Sequence, residues 1–180
     1  MSTPPPEPAT PIRAAVVTVS DRSSRGERED VTGPLLRDIL RERGAEIVDY
    51  RIIPDDQYEV EAALISLSDR ERVDLILTNG GTGLAPRDVT PEGTYEVLGK
   101  EIPGMSEAMR AASLKITPHA MLSRAVCGAR GETLIINLPG SPKAASESFD
   151  VVWPALSHAV DLLHGRGLED HSPVKGEHRR

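Results

Sequence analysis

Three short apolar runs limit what this chain can fold into. Residues 12–20 (IRAAVVTVS), 73–78 (VDLILT) and 133–138 (TLIINL) are nearly continuous aliphatic stretches, and each is followed by a polar or glycine-containing segment. Runs of this length and composition are typical of strands that are buried on both faces of a sheet. Residues 31–43 instead place apolar side chains at the four-residue spacing of a helix face. Strands that alternate with helices predict a three-layer α/β/α domain with a mostly parallel sheet.

Capping residues and prolines indicate the remaining elements. Ser and Thr side chains commonly accept hydrogen bonds at helix starts, and proline fits the first turn because its missing N–H needs no partner there. The polar, glycine-containing stretch 21–30 is expected to be a loop. The other signals predict a strand at 46–53 and helices at 58–67 and 105–114. A further helix is predicted to begin at the Thr90 cap and Pro91. The last helix is predicted to begin at the Ser141 cap and Pro142 and to run towards His164, with a kink at Pro154.

The composition argues against several kinds of partner. The 180-residue chain has a formal net charge of -7 and 3% aromatic residues, so it is not expected to bind nucleic acid. No stretch is apolar and long enough for a membrane span, and the N-terminus lacks the pattern of a signal peptide. The single cysteine, Cys127, cannot form an internal disulfide. A cytoplasmic protein fits these features.

Prolines and charges mark the predicted limits of the folded region. The first eleven residues hold five prolines and are expected to form a disordered arm. Residues 166–180 are charged, without an apolar face, and are expected to form a flexible tail. The folded domain is therefore predicted to span residues 12–165, without an internal repeat or a second domain, as in a stand-alone enzyme.

The segment 78–92, TNGGTGLAPRDVTPE, gives the strongest functional signal in the chain. It follows a predicted buried strand and precedes a predicted helix. Its glycines would let the backbone come close to a ligand and would expose successive N–H groups, which bind oxyanions. The pattern matches neither the P-loop nor the dinucleotide-binding fingerprint. Local chemistry leaves two interpretations open, a phosphate-binding loop and a tight turn that simply needs glycine.

Aspartates follow two of the predicted strands. Asp55 and Asp56 come directly after Pro54, and Asp88 lies just beyond the glycines. If these strands are neighbours in a parallel sheet, their loops meet at one edge, where two carboxylates could hold a Mg²⁺ ion that neutralises nucleotide phosphates. The alternative is that these aspartates form turns or cap helices, as aspartate commonly does.

Further strand ends offer groups for an anionic ligand. The segment 137–143, NLPGSPK, again joins a predicted buried strand to a capped helix, whose N-terminus and hydroxyl could bind a phosphate or a ribose. Ser20 and Asp21 end the first strand, and Ser123 and Arg124 precede another expected strand. The alternatives are an ordinary strand-to-helix turn and surface arginines. No recognisable signature of covalent catalysis occurs.

The glycine-rich segment closely resembles the signature of the molybdopterin adenylyltransferase family, which includes the G domains of gephyrin and of its plant counterpart. The likeness continues in the expected order through EIPGMSEAMR, SLKITPHAMLSR and GETLIINLPGSPK, and the early VTVSDR and IIPDD segments also fit. The match spans residues 16–165. Because several separated motifs occur in order, the chain is identified by resemblance as a member of this family.

The resemblance implies a three-layer α/β fold, a homotrimer, and Mg²⁺-dependent transfer of adenylate from ATP to the phosphate of molybdopterin. A separate protein or domain would then insert molybdate, through a transient contact. By position in the motifs, Asp55 and Asp88 are assigned to catalysis and to Mg²⁺. The nucleotide is assigned to Gly80, Gly81, Thr82, Gly83, Pro139, Gly140 and Ser141. Molybdopterin is assigned to Ser20, Asp21, Ser113, Ser123 and Arg124.

One position departs from the family pattern, and two rival functions stay open. Asn79 stands where Thr or Ser is expected beside the glycines, so the nucleotide loop is expected to fit slightly differently. A binding-only or scaffold protein of the same fold would not need both acidic residues together with an intact glycine-rich loop. A nucleotide hydrolase on a similar sheet would not need the segments assigned to molybdopterin.

Overall fold

The computed structural model describes residues 11–166 as a six-stranded sheet with helices on both faces. The strands are β1 (Arg13–Val19), β2 (Glu46–Ile53), β3 (Leu75–Asn79), β4 (Lys100–Glu101), β5 (Cys127–Arg130) and β6 (Thr133–Leu138). The helices are α1 (Asp21–Ser24), α2 (Thr32–Glu42), α3 (Gln57–Ile65), α4 (Thr90–Val97), α5 (Pro103–Leu114) and α6 (Pro142–Leu163). A π-helical turn, Ser66–Arg70, extends α3, and a 3₁₀ turn, Pro118–Leu122, follows α5.

The sheet is parallel except at one edge. Its strand order is β2-β1-β3-β6-β5-β4, and the first four strands in this order run parallel. β5 and β6 are antiparallel because only Gly131 and Glu132 connect them, and β4 adds a further antiparallel strand. The prediction of a mostly parallel sheet is confirmed. β5 is the strand expected after Arg124, but its antiparallel direction and the short strand β4 were not predicted.

Helices cover both faces of the sheet, as strands buried on both faces require. One layer is formed by α2, α5 and α6, which contribute buried side chains such as Leu36, Met109 and Phe149. The other layer is formed by α3 and α4, which contribute Val60 and Val97. Successive residues of β1 belong alternately to these two cores. This arrangement confirms the predicted three-layer fold.

The parallel strands end together at one edge of the sheet. The pairing register aligns Val19 with Ile53 and Asn79 with Leu138. The chain leaves β1 to one side for β2 and returns on the other side for β3, and ligands usually bind where the strand order reverses in this way. The expectation that β2 and β3 are neighbours is wrong, because β1 lies between them. The loops that follow them nevertheless meet across the end of β1.

Two local predictions in this region are also wrong. The stretch 21–30 is not all loop, because Ser20 Oγ accepts a hydrogen bond from Ser23 N (3.2 Å) and caps the short helix α1. Thr90 does not cap α4. It lies in the first turn of that helix, and its hydroxyl donates to Gly80 O at 2.8 Å. The Thr90 side chain therefore fixes the glycine-rich loop instead of the helix start.

The last helix begins as predicted. Ser141 Oγ accepts a hydrogen bond from Ala144 N at 3.3 Å, and α6 continues through Pro154. None of the helices in residues 11–166 combines the length and the apolar character needed to cross a membrane. The predicted proline-rich arm and charged tail lie outside the described residues except at their borders, so the domain limits stay a prediction.

Candidate functional site

Two clefts lie on opposite sides of the glycine-rich loop 80–83, at the edge where the parallel strands end. The polar cleft has a volume of about 490 Å³ and is built from the loops that follow β1, β2, β3 and β6. Its lining groups are mainly hydroxyls, carboxylates and glycines, and they include Ser20, Asp30, Thr32, Asp55, Asn79, Gly80, Gly81, Asp88, Gly140 and Ser141.

The apolar cleft has a volume of about 290 Å³ and lies against α5 and the start of α6. Its lining includes Thr82, Gly83, Met109, Arg110, Ser113, Leu122, Ser123, Ala125, Asn137, Pro139 and Ala144. Gly81 faces the polar cleft and Thr82 the apolar cleft, so the chain crosses from one cleft to the other between these two residues. The glycine-rich loop is therefore a wall that both clefts share.

Glycine is required at the two positions that begin this loop. Gly80 and Gly81 have φ angles of 94° and 63°, in the left-handed region that favours glycine. A Cβ on Gly80 would overlap Val19 O, and a Cβ on Gly81 would overlap the Thr90 hydroxyl. The loop therefore packs so closely against the end of β1 and against Thr90 that there is no room for a side chain at either position.

The same loop has unused hydrogen-bond donors. The N–H groups of Gly81, Thr82 and Gly83 donate to no acceptor within residues 11–166, although Gly81 O accepts from Thr90 N at 3.1 Å. Backbone N–H groups away from bulk water normally have a partner. Successive backbone N–H groups without an acceptor can bind oxyanions, which favours the phosphate-loop interpretation over that of a simple turn.

Asp21 and Asp55 are hydrogen-bonded to each other's backbone. Asp21 N donates to Asp55 Oδ2 at 2.7 Å, and Asp55 N donates to Asp21 Oδ1 at 3.1 Å. The Arg87 guanidinium donates two further hydrogen bonds to the Asp21 carboxylate, both at 2.9 Å. Asp21, which was predicted to bind molybdopterin, lines neither cleft, and its carboxylate is occupied by protein groups.

The two carboxyl groups have opposite pKa shifts. The hydrogen bonds from Arg87 lower the pKa of Asp21. Burial raises the pKa of Asp55, and the negative charges of Asp21 and Asp88 raise it further, although the hydrogen bond from Asp21 N opposes them. A carboxylate that is buried among like charges is stabilised strongly by a bound cation.

Asp55 and Asp88 suit a hard divalent cation. Each has one oxygen that is fixed locally, Asp55 Oδ2 by Asp21 N and Asp88 Oδ2 by Ala85 N at 2.9 Å. Their Oδ1 atoms accept no hydrogen bond within residues 11–166. No group of three or more His, Cys, Asp and Glu side chains in this part of the chain is placed to hold a metal. Mg²⁺ fits such a sparse site, because it commonly uses one or two carboxylates and completes its shell with water and substrate phosphates.

Arg124 supports the glycine-rich loop instead of facing a ligand. Its Nε donates to Gly83 O at 2.8 Å, its Nη2 donates to Asp88 O at 2.7 Å, and its Nη1 pairs with Glu92. The side chain lines neither cleft. The assignment of Arg124 to molybdopterin stays a prediction, and in this structure the donors of Arg124 hold the loop.

The other predicted residues divide between the clefts differently from expectation. The polar cleft contains Asp55 and Asp88 with Gly80, Gly81, Gly140, Ser141 and also Ser20. The apolar cleft contains Ser113 and Ser123 together with Thr82, Gly83 and Pro139, which were assigned to the nucleotide. Motif position could not reveal this division, because it depends on the point at which the loop crosses between the clefts.

Two residues of the clefts were missed in the sequence. Asp30 accepts hydrogen bonds from the N–H groups of Thr32 and Gly33, both at 3.0 Å. An aspartate just before a helix is a capping signal, which could have identified it. Asn137 is fully buried in β6, and its amide donates to the Thr78 hydroxyl at 2.9 Å. A polar amide inside an apolar run was the available signal there.

Comparison with known proteins gives consistent matches. Residues 15–158 match the family model described as "Probable molybdopterin binding domain". The molybdopterin adenylyltransferase of Helicobacter pylori is 42% identical over 160 residues, which are 88% of this chain and 91% of that protein. Gephyrin of Dictyostelium discoideum is 42% identical over 161 residues, which cover 84% of this chain and 22% of that protein. The crystal structure of the molybdopterin biosynthesis enzyme MoaB from Thermus thermophilus has a TM-score of 0.81 and 51% identity, covering 86% of this chain and 98% of that one.

These matches cover the region that builds both clefts. The family model spans well over half of the chain, and the Helicobacter pylori relative is matched over nearly its whole length. The resemblance to the molybdopterin adenylyltransferase family that the motifs indicated is confirmed. The chain therefore belongs to the molybdopterin-binding family of molybdenum cofactor biosynthesis proteins that includes the molybdopterin adenylyltransferases.

Proposed function

We propose that this protein transfers adenylate from ATP to the phosphate of molybdopterin and releases pyrophosphate, as a step of molybdenum cofactor biosynthesis. The name of the Helicobacter pylori relative, molybdopterin adenylyltransferase, supports this activity. The supporting observation in this chain is an anion-binding backbone beside two carboxylates. Asp55 Oδ1 lies 3.2 Å from the position that a Cβ on Gly81 would take, and Asp88 Oδ2 lies 2.9 Å from that on Gly83.

The two clefts suit the two substrates. The polar cleft offers hydroxyls, glycines and carboxylates, which are appropriate for a nucleotide with its phosphates and cation. The apolar cleft offers Met109, Leu122 and Pro139 for a flat pterin ring, and the hydroxyls of Ser113 and Ser123 for its polar edge. The shared loop between the clefts is where the phosphates of the two substrates would meet.

The proposed reaction brings two anions together. A phosphate oxygen of molybdopterin forms a bond to the α-phosphorus of ATP, while the bond from that phosphorus to the bridging oxygen of pyrophosphate breaks. Pyrophosphate leaves with the electron pair of the broken bond. The attacking phosphate is already ionised, so no strong base and no protein nucleophile is needed. The N–H groups of residues 81–83 would bind phosphate oxygens and hold the reacting groups in line.

Asp55 and Asp88 would hold Mg²⁺ through their free Oδ1 atoms. Bound Mg²⁺ neutralises phosphate charge and polarises the phosphorus under attack. The protein fixes both carboxylates beforehand, Asp55 through Asp21 N and Asp88 through Ala85 N. Burial raises the pKa of Asp55, and the negative charges of Asp21 and Asp88 raise it further, so a bound cation would stabilise the ionised carboxylate.

We also propose that the protein acts as a homotrimer in the cytoplasm, where ATP is available, and contacts a molybdate-inserting protein transiently. Exposed apolar side chains support association between copies, among them Leu84 (65% exposed), Ile116 (63%) and Met121 (64%). Light scattering on the purified protein should give three times the chain mass of 19.4 kDa. A monomeric mass at micromolar concentration would contradict the trimer.

A turnover assay tests the proposed activity. Purified protein is incubated with ATP, MgCl₂ and molybdopterin, and the products are separated and identified by mass spectrometry. One pyrophosphate is expected for each adenylylated molybdopterin, with no ATP consumption when molybdopterin is left out. Binding of both substrates without turnover would indicate a scaffold, and steady ATP hydrolysis without molybdopterin would indicate a hydrolase. Either result would overturn the proposal.

A further inference from the structure

Asp30 lies in the turn before α2, and its carboxylate accepts four hydrogen bonds. Oδ2 accepts from the hydroxyls of Thr18, at 2.5 Å, and Tyr50, at 2.6 Å. Oδ1 accepts from the N–H groups of Thr32 and Gly33, both at 3.0 Å. This one side chain therefore joins β1, β2 and the start of α2 in the wall of the polar cleft.

The network reaches the glycine-rich loop through Thr18. Thr18 is buried, and its Oγ1 donates to Asp30 while accepting a hydrogen bond from Asn79 Nδ2 at 2.9 Å. Asn79 is the last residue of β3 and directly precedes Gly80. The unusual asparagine beside the glycines is thus bonded into the sheet, and Asp30 is connected through it to one wall of the polar cleft.

The same carboxylate is connected through Thr32 to the segment that follows β6. Thr32 N is held by Asp30, and the Thr32 hydroxyl donates to Gly140 O at 2.7 Å. Gly140 faces the glycine-rich loop, because a Cβ built on it would lie 3.3 Å from Gly80 Cα. The two glycine segments that flank the polar cleft are therefore both tied to Asp30.

The groups that donate hydrogen bonds to Asp30 have a fixed protonation state and a fixed position. Burial raises the pKa of Tyr50, and the hydrogen bond to Asp30 raises it further, so the hydroxyl stays protonated as a donor. At Gly33, an added Cβ would crowd Asp30, Tyr50 and Thr18, so the helix start can approach the network only with glycine there. Charged hydrogen bonds of this kind are stronger than neutral ones and confer a fixed geometry.

We propose that Asp30 is a positioning residue for the nucleotide, which holds the packed Gly80 and Gly140 segments in place through Thr18–Asn79 and through Thr32. This proposal rests on the assignment of the polar cleft to ATP. Asp30 acts through other residues and does not touch the reacting atoms. Its role is specific to the polar cleft, since none of its hydrogen bonds reaches a residue that lines the apolar cleft.

Separate binding measurements on the full chain test the proposal. Calorimetry with a non-hydrolysable ATP analogue and MgCl₂ gives the nucleotide affinity, and titration with molybdopterin gives the affinity of the apolar cleft. Asp30→Ala should raise the nucleotide Kd about tenfold and leave the molybdopterin Kd unchanged, because several charge-assisted hydrogen bonds that shape only one cleft are lost. Asp30→Asn should rescue most of the affinity, because the amide oxygen can still accept from the α2 backbone.

Two further variants keep the test decisive. Asp38→Ala removes an exposed aspartate of α2 that pairs with Arg41, and it should leave both affinities unchanged. Thr32→Val removes only the hydroxyl bond to Gly140, so it replaces Asp30→Ala if that variant does not fold, and it should raise the nucleotide Kd about threefold.

Two results would overturn the inference. One is an unchanged nucleotide Kd in folded Asp30→Ala, or in Thr32→Val if Asp30→Ala does not fold. The other is an equal loss of both affinities, which would indicate general damage to the fold. Neither result concerns turnover by the wild-type protein. A wild type that binds the analogue yet makes no adenylylated product would refute the proposed function alone, so the two failures can be told apart.

Discussion

Asp21 and Asp55 each donate a backbone N–H to the carboxylate of the other, at 2.7 and 3.1 Å. This exchange fixes Asp55 in the polar cleft, close to the charge of Asp88 and partly removed from water. Such an arrangement favours cation binding, but it costs stability when no cation is present. Asp55 should therefore favour cation binding and lower the stability of the cation-free protein, and both effects can be tested by substitution.

Asp55→Asn is expected to unfold at a higher temperature than the wild type at pH 7 in the presence of EDTA. The pKa of Asp55 is higher in the folded protein than its value of 3.8 in the unfolded chain. Protonation of Asp55 therefore stabilises the folded state fully at a pH below 3.8, and this stabilisation is lost as the pH rises through the folded-state pKa. The asparagine side chain is neutral at every pH, so the variant does not lose this stability. The advantage of the variant should therefore shrink as the pH falls towards 4. Thermal unfolding followed by circular dichroism measures this, and a lower midpoint than that of the wild type at pH 7 would contradict it.

Asp88→Asn is expected to fold normally and to lose adenylylation by about 100-fold or more, because a charge proposed to hold Mg²⁺ is removed. The amide oxygen can still accept the hydrogen bond from Ala85 N, so the turn should persist. Pyrophosphate release at saturating ATP and molybdopterin measures the effect. Asp69→Asn, which removes an exposed ion pair with Arg130, serves as the control. Full activity of Asp88→Asn would refute the assigned role.

Arg87→Gln should raise the pKa values of both Asp21 and Asp55, because Arg87 lowers both. Carboxyl carbon shifts measured by NMR during a pH titration of the metal-free protein report these values. The matched control is Arg41→Gln, which breaks an exposed ion pair on α2 and should move neither titration. Unchanged midpoints for both aspartates in Arg87→Gln would show that the Arg87–Asp21 pair does not form in solution.

Gly80→Ala should be far more damaging than Gly26→Ala, although both glycines have positive φ angles, 94° and 72°. A Cβ on Gly26 has no atom within 4 Å, so only the backbone strain of about 1 kcal/mol is expected there. A Cβ on Gly80 would overlap Val19 O, so a loss of about 3 kcal/mol or more in the free energy of unfolding is expected. Urea unfolding compares the two variants, and equal losses would disagree with the packing described for the loop.

Ser113→Leu should weaken molybdopterin binding about tenfold while leaving ATP binding intact, because Ser113 lines only the apolar cleft and a larger side chain would fill it. Ala111→Leu, at an exposed position on the same helix, is the control. Titration with each substrate separately measures the two affinities. Weaker ATP binding in Ser113→Leu would show that the substrates are not divided between the clefts as proposed.

The elements that were predicted well are those whose signals are local. The buried strands β1, β3 and β6 are continuous aliphatic runs, and the cap of α6 at Ser141 is encoded by adjacent residues. The two-residue connection between β5 and β6 makes these strands antiparallel. A strand was expected after Arg124, where β5 lies, but nothing in the sequence marked the two-residue strand β4. A short strand depends on its neighbours for hydrogen bonds, so its own sequence indicates it only weakly.

The sequence alone determined the fold class, the glycine-rich loop and the carboxylates at the strand ends, because apolar periodicity, glycine and capping residues act over a few consecutive positions. The tertiary structure decided which groups meet. Thr32 donates a hydrogen bond to Gly140, 108 positions away, and this contact places Thr32 in the wall of the polar cleft. Arg124 donates to Gly83, 41 positions away, and this contact makes Arg124 a support of the glycine-rich loop. Such pairings depend on which strand lies beside which. That order is set by the packing of the whole sheet, which local signals do not specify.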